Sequence, residues 1–352
     1  LLFACQERSQ LTPIQENTDT EALYAASSLQ TLQSALEDDS EDAHVLYMLA
    51  RWYYAKKDYP RTQELIEKAI KKEEKWQYYL LAALNKEKLA QYTQARAFWK
   101  RAYQLNNKAL TVLMWGLRYA VEQNDEQLYT AIINTMQKSY TNEANLYYWQ
   151  GKWAKNKADT SKAIYFYTKA LAMDKSAVPV YLSMSELFNE YEQPKKALIW
   201  ANQGLTFQNN KDSLLFQKAE AYRKLKEVDS AVTYYQKVYQ LNPSMYEASY
   251  QIGLFYWKLG NYTKSLTYFE NVYHYAPETH KVWYYLANCY DIQNKNDLAL
   301  RFYQKAVEKE PENQSYRGAL YLLKQKIEQI RLLKIQDSLM RIQKIEAQND
   351  TE

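Results

Sequence analysis

Between residues 43 and 313, small and large apolar positions alternate at helical spacing. The pattern returns eight times with a period of about 34 residues. The copies begin at residues 43, 76, 109, 144, 178, 212, 246 and 280, with one-residue slips only among the first four. Pro243, Pro277 and Pro311 are spaced by one period, as are Ala231, Ser265 and Ala299. Within each copy the pattern predicts two antiparallel helices joined by a tight turn. Two helices approach closely only where side chains are small. Position 8 of every copy is small: Ala50, Ala83, Gly116, Gly151, Ser185, Ala219, Gly253 and Ala287. Its partner at position 20 is Thr62, Ala95, Leu128, Ala163, Ala197, Ala231, Ser265 and Ala299, with large residues at positions 11 and 24 filling the flanks. Leu128 breaks the rule, so the third copy is expected to be locally distorted. Position 16 often carries a helix N-cap type, as in Asp58, Asp159 and Asn261. The fold class expected is all-α.

Both ends depart from the period. Residues 21–37 read as one helix, in which Ser28, Leu32 and Ala35 match positions 20, 24 and 27 of a half-present repeat that caps the first copy. After Pro311, residues 314–352 read as a capping or extension helix, its pattern running from about Gln314 to Ala347, and a tail. Leu320, Leu323, Ile327 and Ile330 form a stripe suited to covering the last copy, and Ile335, Leu339, Ile342 and Ile345 form a second stripe that outruns the body. That second stripe is either a solvated tail or a helix that docks on a partner.

Set against W-x2-L-G-x2-Y, then A-x3-F, then P, the eighth copy offers Trp283, Leu286-Ala287, Tyr290, Ala299, Tyr303 and Pro311, and the seventh offers Ile252-Gly253, Tyr256, Ser265, Phe269 and Pro277. The chain therefore resembles tetratricopeptide repeat proteins. The resemblance implies an α-solenoid of about eight helix-turn-helix repeats over residues 21–313 that holds other proteins. It also implies that the first helices line a groove, into which positions 2, 5, 9 and 12 point. The candidate partner-binding residues there are Tyr47, Tyr148, Phe216, Tyr250 and Tyr284 at position 5, and Tyr54, Arg223 and Trp257 at position 12. Chaperone-binding members of the family hold a peptide carboxylate with Lys at position 5. No copy has one here, so a carboxylate-clamp ligand is not expected.

Composition narrows the function further. Lys and Arg number 45 against 41 Asp and Glu, a balance that gives no footprint for nucleic acid. Three histidines, two distant cysteines (Cys5 and Cys289) and six glycines supply no recognisable metal set, phosphate loop or nucleophile elbow. Neither enzymatic activity nor a cofactor is expected. Leu2-Phe3-Ala4-Cys5 resembles the lipobox of bacterial lipoproteins, with Leu three residues before the cysteine and a small residue directly before it. Phe3 stands where a small or branched residue is usual. On that reading residues 1–5 are the remnant of a lipoprotein signal, Cys5 carries the lipid, and residues 6–20 are a tether. The expectation is a scaffold anchored at the outer membrane of a bacterial envelope, facing the periplasm, in an assembly, secretion or motility complex. The alternative is a cytosolic adaptor or peptide-binding regulator without an anchor.

Overall fold

In the computed structural model every described element is an α-helix. The structure describes residues 29–38, 42–140, 143–207 and 211–349. Side chains are not described at 38 or from 344 onward. The helices are α1 (Leu29–Asp38), α2 (Ala43–Ala55), α3 (Tyr59–Lys72), α4 (Trp76–Lys88), α5 (Tyr92–Leu105), α6 (Leu110–Gln123), α7 (Glu126–Ser139), α8 (Ala144–Asn156) and α9 (Thr160–Met173) in one compact body. A second body contains α10 (Val178–Glu190), α11 (Pro194–Gly204), α12 (Lys211–Lys224), α13 (Val228–Leu241), α14 (Tyr246–Lys258), α15 (Tyr262–Tyr275), α16 (His280–Ile292), α17 (Asn296–Lys309) and α18 (Gln314–Asn349). From α2 to α17, even-numbered helices open a repeat and odd-numbered helices close it.

One turn geometry serves all eight repeats. The first helix ends on a residue in the left-handed region: Lys57, Ala90, Asn124, Ala158, Glu192, Lys226, Gly260 or Asn294. The next N–H then reaches back five residues to a carbonyl inside the helix, as in Asp58→Tyr53 (3.0 Å), Gln193→Phe188 (2.8 Å) and Lys295→Tyr290 (2.9 Å). That same residue starts the second helix. Where it is Asp58, Asp125, Asp159 or Asn261, its side chain accepts an N–H three residues on. A single residue thus closes one helix and opens the next, which keeps the turn short and its length fixed.

Positions 8 and 20 meet as the small-residue pattern requires. Ser185 Oγ donates to the carbonyl of Ala197 at 3.0 Å, and Ser265 Oγ donates to that of Gly253 at 2.9 Å. A Cβ built on Gly253 would lie 2.7 Å from Phe269, and one on Gly151 would lie 2.5 Å from Tyr167. The third repeat is corrected in detail. Its left-handed residue is Asn124 and its cap is Asp125, so the turn falls one residue late. Counting from that cap, Tyr129 rather than Leu128 takes the small-residue place. Its ring stacks on Trp153 of α8 at 4.1 Å. With a large ring there, α7 meets α6 less extensively than the helices of the other repeats meet each other.

At the start of the first body, Leu32 of α1 is buried in one cluster with Leu46, Leu49 and Ile66. In the second body α18 follows α17 as a further first helix, burying Leu323 and packing Leu320 and Ile327 on the last repeat. No turn interrupts it where the other first helices end, and it runs on to Asn349. Residues 1–28, including Cys5 and the expected tether, lie outside the described residues. No described helix is long and apolar enough to cross a membrane.

Candidate partner-binding surfaces

Position 5 is first of all a packing position. Its ring sits against the ring at position 24 of the same repeat: Tyr148 on Tyr167 at 6.2 Å, Phe216 on Tyr235 at 5.8 Å, Tyr250 on Phe269 at 6.2 Å and Tyr284 on Tyr303 at 5.9 Å. In the first repeat Tyr47 lies against Tyr78 of the next at 4.8 Å, the two rings tilted by 35°. Tyr47, Tyr148 and Phe216 are consequently buried, and their place as partner contacts is corrected to core. Only Tyr250 and Tyr284 keep a partly open face. Burial pushes the Tyr250 hydroxyl up to about 12.

Position 12 ties neighbouring first helices together. In the first body Glu87 of α4 pairs with Arg118 of α6 at 2.5 Å, largely out of water, with the guanidinium lying over Trp115. Half-buried Tyr54 lies within the electrostatic reach of that pair. Its hydroxyl is pushed up to about 12 by burial first, then by Tyr59 and Glu87. In the second body Asn189 donates to Gln217 through its carbonyl (2.9 Å) and its side chain (3.0 Å). Trp257 Nε1 donates to Asn288 Oδ1 at 2.9 Å, and Lys326 of α18 reaches Asp291 at 2.6 Å. The exposed Arg223 instead turns back to Glu220 on its own helix, where Glu220 also accepts the Tyr235 hydroxyl. Both donors hold their protons more tightly beside that carboxylate, Tyr235 chiefly through burial.

What remains open on the second body is a patch of aromatic faces around a fixed amide. Trp257 meets Tyr285 edge-on at 5.3 Å, Tyr285 stacks on Phe269 at 5.1 Å, and Tyr284 stacks on Tyr316 of α18 at 5.1 Å. The rings are held by neighbours on several sides, so a ligand meets a preformed surface. Half-buried aromatics beside a few polar groups are the composition of interface hot spots. Among the described residues no group of three or more His, Cys, Asp or Glu could hold a metal ion. Cys289 is fully buried, and burial pushes its thiol up to about 11.

A second surface lies on the distal half of α18. Ile335, Leu339 and Ile342 are each about half exposed, as are Leu332, Leu333 and Met340. The Ile345 side chain lies outside the described residues. Where α18 passes the turn between α16 and α17, the two walls enclose an open groove of about 950 Å³ lined by Leu298, Ile327, Ile330, Ile335 and Leu339. The apolar stripe was visible in the sequence, but its opposite wall depends on where α18 crosses that turn.

Residues 216–271 and 250–314 match the family model for the tetratricopeptide repeat. No curated protein matches the chain. Among solved structures it is similar to yeast Tom70, with a TM-score of 0.58 and 15% identity over 85% of this chain and 61% of that one. At that identity the likeness shows the fold, an all-α solenoid. YrrB, described as a TPR protein with an unusual peptide-binding site, aligns with 53% of this chain and 96% of its own, at 22% identity and a TM-score of 0.43. Pseudomonas aeruginosa pilF aligns with 69% of this chain and 95% of its own, at 12% identity and a TM-score of 0.47.

Proposed function

Because the chain is a tetratricopeptide repeat protein, and such repeats characteristically serve as non-catalytic protein- or peptide-binding scaffolds, we propose that it is a lipid-anchored scaffold of a bacterial envelope. The observation that carries the binding role is the preformed aromatic patch of the second body, with Tyr250, Trp257 and Tyr284 partly open around Asn288. Residues used only to hold a solenoid together would be driven under cover, as Tyr47 and Tyr148 are. The anchor rests on Leu2-Phe3-Ala4-Cys5, whose spacing suits lipidation at Cys5. Several acyl chains on that sulfur and amine would hold the protein stably, since each buried CH₂ contributes about 0.8 kcal/mol. Gln6 follows the cysteine rather than Asp, which favours the outer membrane, on its periplasmic face, as part of an assembly, secretion or motility complex.

Two experiments test this reading. Metabolic labelling of the full-length protein with a fatty acid should mark the wild type and not Cys5→Ser; equal label on both removes the anchor. Photo-crosslinking from Tyr250 and Tyr284 in intact cells should trap a protein neighbour. If Tyr250→Ala with Trp257→Ala leaves its capture unchanged while the helical content is intact, the aromatic patch is not the binding surface.

A further inference from the structure

The groove beside the distal half of α18 has a shape and a charge that select an occupant. Its α18 wall runs from Ile327 to Leu339, with lining residues three and four apart. Twelve residues rise about 18 Å along a helix axis. Side chains so spaced form the ridge-and-groove surface into which a second helix packs.

Charge then separates the possible helices. The lining holds three cations (Lys295, Arg331 and Lys334) and one anion (Asp297), three minus one giving a net charge of +2. Arg331 is held 3.6 Å from Glu328 on its own helix, while Lys334 forms no ion pair among the described residues. A second copy of α18 would bring Arg331, Lys334 and Arg341 against these cations, only partly offset by its Glu328 and Asp337. A flat bilayer surface would reach the rim and not the apolar floor.

We propose that this groove takes an acidic amphipathic helix, about three turns long, from a protein partner. Apolar residues of the guest would cover Ile330, Ile335 and Leu339, and its carboxylates would flank Lys295 and Lys334. This rests on the protein-binding reading given above and adds to it the site and the chemical class of partner.

The test uses the whole chain and a displayed library of 16-residue peptides. Each peptide has Leu or Ile at helical spacing and flanking positions randomised among Glu, Lys and Gln. Glu-rich peptides should be enriched, should bind the purified chain, and should weaken by at least about tenfold against Ile335→Glu/Leu339→Glu and against Lys334→Glu. They should also weaken as salt rises. These side chains are exposed, and circular dichroism checks that the variants stay folded. Enrichment without charge bias, binders indifferent to the substitutions, or no binders at all would overturn the proposal. So would dimers in sedimentation that Leu339→Glu abolishes, which would assign the groove to a second copy. Binding to vesicles of phosphatidylglycerol and phosphatidylcholine lost in the same variants would assign it to a membrane. Photo-crosslinking in cells separates the two readings: a partner captured from Ser338 in the groove and still captured there by Ile335→Glu/Leu339→Glu sinks the groove alone, and a chain that captures no protein from any surface sinks the scaffold.

Discussion

Replacing Gly253 and Gly318 by alanine should move stability in opposite directions, although both lie within helices of the second body. At Gly318 the added methyl meets nothing within 4 Å, so only helix propensity changes. Alanine there should stabilise by up to about 1 kcal/mol. At Gly253 the new Cβ would stand 2.7 Å from Phe269 Cε1 and 2.9 Å from its Cδ1, where ordinary contact begins at 3.4 Å. The ring must therefore retreat by about 0.7 Å, the difference between the first and last of these distances. It has little room to do so. Phe269 is fully buried, with Tyr285 stacked at 5.1 Å and Tyr250 at 6.2 Å. Parting the helices instead would stretch the 2.9 Å bond from Ser265 to the Gly253 carbonyl. Overpacking of this kind costs about 1–3 kcal/mol, of which propensity returns about 1 kcal/mol. The expected net change is a destabilisation of up to about 2 kcal/mol.

Urea unfolding followed by circular dichroism reads both variants. The Gly253→Ala midpoint should fall and the Gly318→Ala midpoint should rise. The disturbance should also reach the aromatic patch, because Tyr285 touches both Phe269 and Trp257. Tryptophan emission should change in the first variant and not in the second. A Gly253→Ala midpoint at or above the wild type would refute the claim that position 8 sets the distance between paired helices.

The turns and the tyrosines give two further predictions. Ala158 sits at φ 58°, so Ala158→Gly removes a left-handed strain of about 1–2 kcal/mol and loses about 0.5–1 kcal/mol to unfolded-state freedom. The net gain of roughly 0.5–1 kcal/mol should appear as a higher urea midpoint, while Gly260→Ala, at φ 73°, should lower it. Tyr54, Tyr129 and Tyr250 have hydroxyls raised from 10.0 to about 12, with burial the largest cause in each. A raised folded-state value stabilises fully below the unfolded value, and that stability is lost as pH rises through the folded one. The fold should therefore weaken between about pH 10 and 12, with tyrosinate absorbance and loss of helix signal rising together. Complete tyrosine ionisation before any helix is lost would contradict the burial.

The repeat itself was legible because it rests on residue size at fixed spacing. Gly151, Ser185, Ser265 and Ala287 had to be small whatever surrounds them. The frame of the third repeat was not legible, because an extra residue before the cap shifts the second helix by one place, and Leu128 and Tyr129 are equally poor fits to a small position. The roles of the tyrosines were hidden for another reason. Tyr suits a buried ring and a half-open ring alike, so nothing in the sequence separates Tyr148, covered by Tyr167, from Tyr284, which keeps an open face. The groove beside α18 needs two segments some thirty residues apart, Asn294–Leu298 and Ile327–Leu339, to be brought side by side.

Position 12 explains why the open surfaces fall where they do. Inside the array several of these residues bond to the following first helix: Glu87 has Arg118, Asn189 has Gln217, and Trp257 has Asn288, while Arg223 turns back to Glu220 on its own helix. These bonds fix helix spacing, and the polar atoms they use are withdrawn from any ligand. A partner is then left with ring faces, which recognise shape and apolar area more than charge. At the end of the second body the pattern changes. Asp291 is satisfied by Lys326, but α18 then continues past the point where a turn would have sent the chain back. Among the described residues no other helix covers its distal side chains, so Ile335, Leu339 and Lys334 stay available together. Charge selection is expected there, and shape selection along the repeats. Salt should accordingly weaken a ligand held beside α18 and leave one held on Trp257 and Tyr284 nearly unchanged.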